Sequence, residues 1–478
     1  MLWLSLYLPH LPLEAIARTL EDPAAPLVVH ETRGTRRIVI ARNRAAAQAG
    51  IRPGTALATA QAMIDGLKLH MRTPAAETAA LEGLAQWAGQ YTSWLSLVET
   101  DGLNLEIAGS LRLFGGLETI QGHVRDGLTA LGYRSRLAVA PTAQAAWLFA
   151  RNGLPLVLTD HERLSEKLDE MPVASLRQPE IESTLRAMGL KRLGDCRRLP
   201  RSGLAQRLGP DFVATLDRLY GLRQEPPARF LAAECYRGQI LLPALLDQVD
   251  ALQFPLRRLL QEIEGFLRGR GLGALRLLLE LQPEVGEPVR VTLGLAEPSR
   301  SPQHLLTLFR ERLAREPLPG PVERLVLQTT ETAPLEEHSR PLFREDAAPD
   351  GHIGALLEQL YARLGEAAVH SIGECADHRP ERAWQYAPPG GATAFAYTPE
   401  RPLWLLPQPR RLGERRGRPA LDGELQILDG PERIQGGWWD GHAVLRDYFV
   451  AVSAAQALLW IFRDPGPPPA WYLHGFFA

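Results

Sequence analysis

Cysteine is scarce in this 478-residue chain: Cys196, Cys235 and Cys375 lie too far apart for a metal-ligand spacing. That excludes a disulfide scaffold and suits a reducing cytosol. The twelve histidines form no zinc signature. No apolar run approaches the roughly 20 residues that span a bilayer. The N-terminus lacks the basic region, long apolar core and small-residue cleavage site of a signal peptide. The expectation is a cytoplasmic protein without a cofactor. Lysine is rarer than in most proteins, at Lys68, Lys167 and Lys191 only, so arginine carries the positive charge. The most informative absence is a carboxylate. Residues 2–8 read as a buried strand and contain neither Asp nor Glu.

What is present is ordinary globular material, 45% apolar and 23% charged, long enough for three or four domains. The net charge of −2 announces no polyanion partner. Its distribution is less even. Residues 171–230 hold eleven Arg/Lys against six Asp/Glu, and Arg410–Arg418 holds five arginines against Glu414. Such patches suit phosphate contact, although any single one is more often a solvated face.

Apolar periodicity divides the chain. In residues 1–150, strand 2–8 is followed by helix Leu11–Leu20, strand Arg37–Ile40, and Ala-rich helices at Arg42–Ala49 and Thr55–Met63. A long helix Glu77–Trp94 precedes a strand or hairpin at 96–107. Helix Thr119–Leu131, strand Arg136–Ala140 and a Thr142-capped helix to Arg151 complete the region. Residues 170–230 read as short helices only. Residues 236–330 give the order βαββαβ, with strand Arg237–Leu242 and helix Pro243–Arg268 at its start. Residues 331–350 read as an acidic linker, Gly354–Leu364 as a helix, and 385–478 as short strands rich in Pro, Gly, Trp and Arg.

Several motifs sharpen this outline. They are Asp101–Gly116, ending Leu-Arg-Leu-Phe-Gly-Gly; Gly430-Pro-Glu-Arg-Ile; Gly437-Trp-Trp-Asp-Gly; Arg446-Asp-Tyr-Phe; and Trp471-Tyr-Leu-His-Gly-Phe-Phe-Ala. With the domain order, they make nearly the whole chain resemble the Y-family (translesion) DNA polymerases. The similarity is greatest to their degenerate bacterial branch, the ImuB family of mutagenesis accessory proteins. The resemblance implies a multidomain α+β fold. Palm and fingers would occupy 1–165, a helical thumb 166–232 and a split-βαβ little finger 233–330. A linker with a helix would occupy 331–384, and a β-rich C-terminal region 385–478.

The departures from an active polymerase carry the functional reading. The family's first-strand metal-binding Asp falls on Ser5 and its neighbouring acid position on Tyr7. The second-strand Asp-Glu pair falls on Asp101 and Gly102. The Tyr and Arg that hold the incoming triphosphate fall on Arg44 and Ala47, and the family's Lys falls near Trp147. A cation pair needs hard oxygen donors on adjacent strands, and a hydroxyl with a phenol does not replace two carboxylates. Asp101-Gly102 also reads as a hairpin dipeptide. Glu99 falls on the same face as Asp101 by strand parity and Glu106 on the opposite one.

Binding sites follow from the same comparison. The thumb turn Leu176-Arg177-Gln178-Pro179-Glu180 lacks the glycine and amide donors that hold a phosphate, whereas Lys191, Arg192, Arg197 and Arg198 keep basic side chains near the second thumb segment. Arg237, Arg276 and Arg290 lie on little-finger strands that face DNA in the family. Together they imply weak, salt-dependent and sequence-independent DNA binding. Leu342-Phe343, in the acidic linker, resembles a degenerate motif for the ring-shaped β sliding clamp. The competing Leu305–Phe309 run reads as helix core. In the tail, Trp438, Trp439, Arg446 and Tyr448 are candidate partner contacts, aromatics and Arg being enriched at interface hot spots. The resemblance implies two further partners, a RecA-like accessory protein (ImuA) and an error-prone α-type polymerase. The resulting expectation is a non-catalytic, nucleoid-associated scaffold for translesion synthesis and induced mutagenesis. An active translesion polymerase, and a DNA-binding protein without clamp function, are the alternatives.

Overall fold

The computed structural model describes residues 1–17, 25–316, 318, 320–335, 350–387 and 401–477. The fold is multidomain α+β. Two compact units divide the chain, Met1–Arg363 and Leu364–Ala478.

The first unit begins with β1 (Trp3–Tyr7), α1 (Leu11–Ala17), β2 (Leu27–Arg33), β3 (Arg36–Arg42), α2 (Arg44–Gln48), α3 (Leu57–Met63), β4 (Lys68–Met71), α4 (Pro74–Ala88), β5 (Leu95–Val98), β6 (Gly102–Glu106), α5 (Leu117–Ala130), β7 (Arg136–Ala140) and α6 (Ala143–Arg151). One antiparallel sheet has the order β5-β6-β1-β7, which makes β1 an interior strand. Alternation puts Leu4 and Leu6 on one of its faces, in the core cluster that also holds Leu84 of α4 and Val124 of α5. Trp3, Ser5 and Tyr7 point to the other face, where α6 lies. A second sheet, β3-β2-β4, pairs β2 with β4 in parallel.

The helical region α7 (His161–Glu170), α8 (Pro179–Ala187), α9 (Leu193–Arg197), α10 (Arg201–Leu208) and α11 (Pro210–Tyr220) shares an apolar cluster with α6. Then come β8 (Arg237–Leu246), α12 (Val249–Arg268), β9 (Leu272–Pro283), β10 (Val289–Ser299), α13 (Pro302–Leu313) and β11 (Val322–Pro334). The strand order β10-β9-β11-β8 is a double split-βαβ arrangement. Its helices cover one face of the sheet with Leu256, Leu260, Ile263, Leu305 and Phe309, all fully buried. Phe309 and Leu305 are therefore core. Helix α14 (Asp350–Leu364) follows, and its buried Glu358 accepts from Ala296 N at 2.7 Å and meets His304 Nε2 at 2.6 Å.

The second unit contains hairpins β12 (Ser371–Glu374) with β13 (Trp384–Ala387) and β15 (Gly413–Arg415) with β16 (Arg418–Ala420). Its main sheet has the order β14-β20-β19-β18-β17, built from β14 (Trp404–Arg411), β17 (Gln426–Gly436), β18 (Val444–Val452), β19 (Leu458–Asp464) and β20 (Ala470–Phe476).

Three sequence expectations are corrected. The helix expected over Glu77–Trp94 ends at Ala88, and its last residues turn into the β5 strand. The helix expected from Pro243 begins at Val249, because β8 runs on to Leu246. Pro243 is tolerated there because β8 is an edge strand. Strands β2 and β4 were not anticipated.

Candidate functional site

The centre of the first sheet gathers the residues that the resemblance singled out. Ser5 lies opposite Asn104 and Ala138, and Tyr7 opposite Gly102 and Arg136. Antiparallel partners share a face, so the five side chains of this set and the bare Cα of Gly102 look the same way. Ser5 is fully buried, and its hydroxyl donates to Asn104 Oδ1. A neutral hydrogen-bonded pair thus joins the two strands. The only carboxylate of β6, Glu106, is already engaged: its Oε1 accepts from Leu2 N at 2.9 Å and Ala108 N at 3.3 Å.

Helix α6 closes this face. Thr142 caps it by accepting from Ala145 N at 3.2 Å. Small residues, Ala138 and Ala140 on β7 and Ala143 and Ala146 on α6, let helix and sheet approach closely. The approach brings Trp147 onto Gly102: a Cβ at Gly102 would stand 2.1 Å from the indole ring. Tyr7 packs edge-on against the same indole, with centroids 5.6 Å apart. Trp147 Nε1 donates to Glu99 Oε1 at 3.2 Å, and Arg151, one helical turn on, pairs with the same carboxylate.

The β5–β6 turn differs from its sequence reading. Glu99 takes the left-handed conformation at φ 51, and Gly102 is the first residue of β6 rather than a turn glycine. Glu99 and Asp101 both lie in the turn, so strand parity does not relate them. Asp101 is half-buried and its Oδ1 has no hydrogen-bond partner. Burial, reinforced by the nearby Glu99 charge and opposed by Arg151 and Arg177, pushes its carboxyl up to about 6. The Arg136 and Arg177 guanidinium carbons stand 6.0 and 5.9 Å from the Tyr7 ring centroid.

The structure brings Ser5, Tyr7, Asp101, Gly102 and Trp147 together, along with Asn104, Arg136, Arg151 and Arg177, which sequence reasoning missed. Spacing offered a signal for Arg151, four residues after Trp147 on one helix face. Arg44 and Ala47 belong elsewhere. They lie on α2, whose Ala46 packs with Val28, Val39 and Leu57 in a separate cluster.

A Mg²⁺ pair, which the fold family implies, meets an unsuitable donor set here. It would find an engaged hydroxyl, a phenol, the Glu99 carboxylate already held by Trp147 and Arg151, and the Asp101 carboxyl driven toward its neutral form, with the guanidinium groups of Arg136, Arg151 and Arg177 repelling cations. Among the described residues, no three His, Cys, Asp or Glu side chains converge on a metal-sized site. These residues do not fit the metal pair.

The candidate phosphate contacts are largely paired within the chain. Lys191 N and Arg192 N, at the start of α9, both donate to Asp195 Oδ2, at 3.1 and 2.9 Å. Those two bonds hold the Asp195 carboxyl below its usual range. Arg198 pairs with Asp195 at 2.8 Å and Arg197 with Asp169 at 3.5 Å. In the preceding turn, Arg177 adopts a left-handed φ of 53 and Pro179 opens α8. Arg237, Arg276 and Arg290 do share the open face of the split-βαβ sheet, since register links them through Gln328, Leu278 and Thr292. Arg276 pairs with Glu331 at 3.4 Å and Arg290 with Glu280 at 2.9 Å, whereas Arg237 forms no ion pair among the described residues.

Leu342 and Phe343 lie outside the described residues. In the tail, Trp438 and Trp439 are 71% and 63% exposed and meet edge-to-face at 4.6 Å. Their turn is anchored by Asp440, which accepts from Arg379 Nη2 at 2.7 Å and Arg382 Nη1 at 2.8 Å. Tyr448 is corrected from partner contact to core. It is 1% exposed, stacked on Trp460 at 4.0 Å, and its Oη lies 2.7 Å from His474 Nδ1. Arg446 is spent on Tyr448 Oη and Glu381.

Comparison with known proteins places the chain in a family. The model of the impB/mucB/samB family matches residues 14–151. Solved structures with similarity include the insertion ternary complex of Dbh DNA polymerase, at 15% identity and TM-score 0.42 over 70% of this chain and 100% of that one. DinB from Sulfolobus solfataricus is similar at 15% identity and TM-score 0.40, again over 70% of this chain and 100% of that one. Protein ImuB of Caulobacter vibrioides, in strains NA1000 / CB15N and ATCC 19089 / CIP 103742 / CB 15, is 30% identical over 468 residues. That match spans 90% of this chain and 100% of the Caulobacter protein, and by it the chain belongs to the ImuB family.

Proposed function

We propose that the protein acts in DNA damage tolerance as a non-catalytic, polymerase-like scaffold that brings an error-prone polymerase to clamp-bound, damaged DNA. Membership of the ImuB family supports the damage-tolerance role. One observation carries the non-catalytic part: the indole of Trp147 occupies the space beside Gly102, on the sheet face where Ser5 and Asn104 bond each other. Nucleotidyl transfer depends on a carboxylate-held cation pair, and here Glu99 is engaged by Trp147 and Arg151 while the first strand offers no acid. In this reading the palm, thumb and little finger correspond to 1–165, 166–232 and 233–330. Arg237, Lys191 and Arg192 make weak, sequence-independent DNA contacts, beside Arg276, Arg290, Arg197 and Arg198, which are held by carboxylates of the same chain. Leu342-Phe343 docks on the β sliding clamp. Trp438 and Trp439 present an aromatic anchor to a protein partner such as a RecA-like accessory protein or an α-type polymerase.

Primer extension by the purified protein with Mg²⁺ or Mn²⁺ tests the central point. No incorporation is expected, and incorporation abolished by Asp101→Ala would establish the active-polymerase alternative instead. Pull-down on the β clamp tests the linker: Leu342→Ala with Phe343→Ala should abolish capture, and undiminished capture would remove that motif from the reading.

A further inference from the structure

The outer surface of the split-βαβ region carries a groove of about 470 Å³ between α12 and α13. Gln253, Arg257 and Gln261 line it from α12 at four-residue spacing, so they form one stripe. Gln303, Leu306 and Arg310 line it from α13. No carboxylate lines it, although the chain as a whole is net negative. Arg257 is exposed and forms no ion pair among the described residues, and Arg310 has only a long 3.5 Å contact to its neighbour Glu311.

We propose that this groove binds an extended acidic peptide segment of a partner protein. The two guanidinium groups attract carboxylates. The glutamine amides match a peptide backbone, which both donates and accepts. Position favours a peptide over a nucleic acid. The helices cover the sheet face opposite to Arg237, Arg276 and Arg290, so a peptide in the groove leaves that arginine-bearing face free for DNA.

The test uses the full chain and fluorescence anisotropy with a labelled hexapeptide alternating Glu and Leu, at low salt. Saturable binding is expected. It should weaken at least tenfold in R257E/R310E, and also when the probe's Glu residues are replaced by Gln. The reverse charge on the probe, Lys for Glu, should restore binding to R257E/R310E. Variants R276Q/R290Q should bind the peptide normally. Absence of saturable binding, or equal affinity in R257E/R310E with an unchanged circular dichroism spectrum, overturns the proposal. Displacement of the peptide by duplex DNA, with DNA affinity lost in R257E/R310E but kept in R276Q/R290Q, overturns it in favour of a nucleic-acid groove.

Discussion

Two ionisable groups, the half-buried Asp101 and the buried His474, give opposite pH signatures. The Asp101 carboxyl is held at about 6 in the folded chain, above its ordinary 3.8, by burial and then by Glu99. The unfolded chain loses that proton first, so this group's contribution to stability falls as pH rises from about 4 to 6 and stays low above. Asp101→Asn is therefore expected to stabilise the first unit by roughly 1–2 kcal/mol at pH 7.5, with allowance for partial exposure, and by little at pH 4.5. Urea unfolding at the two pH values measures the difference. His474 behaves conversely. Burial, and then Arg446, lower it from 6.5 to about 4 despite the opposing pull of Glu381. Its Nδ1 is hydrogen-bonded with the Tyr448 hydroxyl, whose oxygen accepts from Arg446. The unfolded chain takes up a proton first, so stability of the second unit falls as pH drops from 6.5 to 4, by up to roughly 3 kcal/mol. The His474→Phe variant should lose most of that dependence in the near-ultraviolet circular dichroism of the tail's stacked aromatics. Only part of this was legible in sequence. The absence of acids from β1 could be read directly, because alternation fixes what a strand can present. The plug could not, because Trp147 lies more than forty residues from Gly102 and is brought to it by tertiary packing alone.

Among elements, the contact of α4 with α12 depends on glycine. A Cβ at Gly265 would stand 2.4 Å from Trp87 Cδ1 and 2.9 Å from the Trp87 carbonyl oxygen, and one at Gly269 would stand 3.0 Å from the Gln90 backbone. Bare backbone at these positions lets two helices from distant parts of the chain meet closely. Gly265→Val is expected to lower the stability of the first unit by about 1–3 kcal/mol, the usual range for overpacking. Gly203, in α10 with nothing near its missing Cβ, is the control: Gly203→Ala should stabilise by roughly 0.5–1 kcal/mol. Differential scanning calorimetry of both variants reads the contrast, and an unshifted transition in Gly265→Val would show that the contact contributes nothing. Elements with strong periodicity were the legible ones. The βαββαβ order was evident because α12 and α13 carry clear apolar stripes. Strands β2 and β4 escaped because their pairing joins Leu27 to Lys68 across intervening helices, and β4 is only four residues long. The first strand of the split-βαβ sheet was cut short at Pro243 because proline reads as a strand end, yet an edge strand leaves its missing N–H without consequence.

At the scale of the whole molecule, the basic residues suggest more phosphate contacts than the fold leaves free of internal partners. Sequence shows the local excess of Arg and Lys but not which carboxylate each one faces. Arg276, Arg290, Arg197 and Arg198 all meet acids of the same chain, which leaves Arg237, Lys191 and Arg192 without ion pairs among the described residues. Each phosphate neutralised on duplex DNA adds about 0.9 to the magnitude of the salt slope. Three such contacts give a slope of log K against log salt of about −2.7, too shallow for a protein that grips DNA by charge alone. Replacing the internal partners should release two more cations. The variant E280Q/E331Q frees Arg290 and Arg276 on the open sheet face and is expected to steepen the slope by about 1.8 while tightening binding at 50 mM salt. Fluorescence anisotropy with a labelled duplex between 50 and 200 mM salt measures both. A wild-type slope steeper than about −6 would mean that the paired arginines already reach phosphate. An unchanged slope in E280Q/E331Q would take the split-βαβ face out of the DNA interface and leave the contact to α9 and its neighbours.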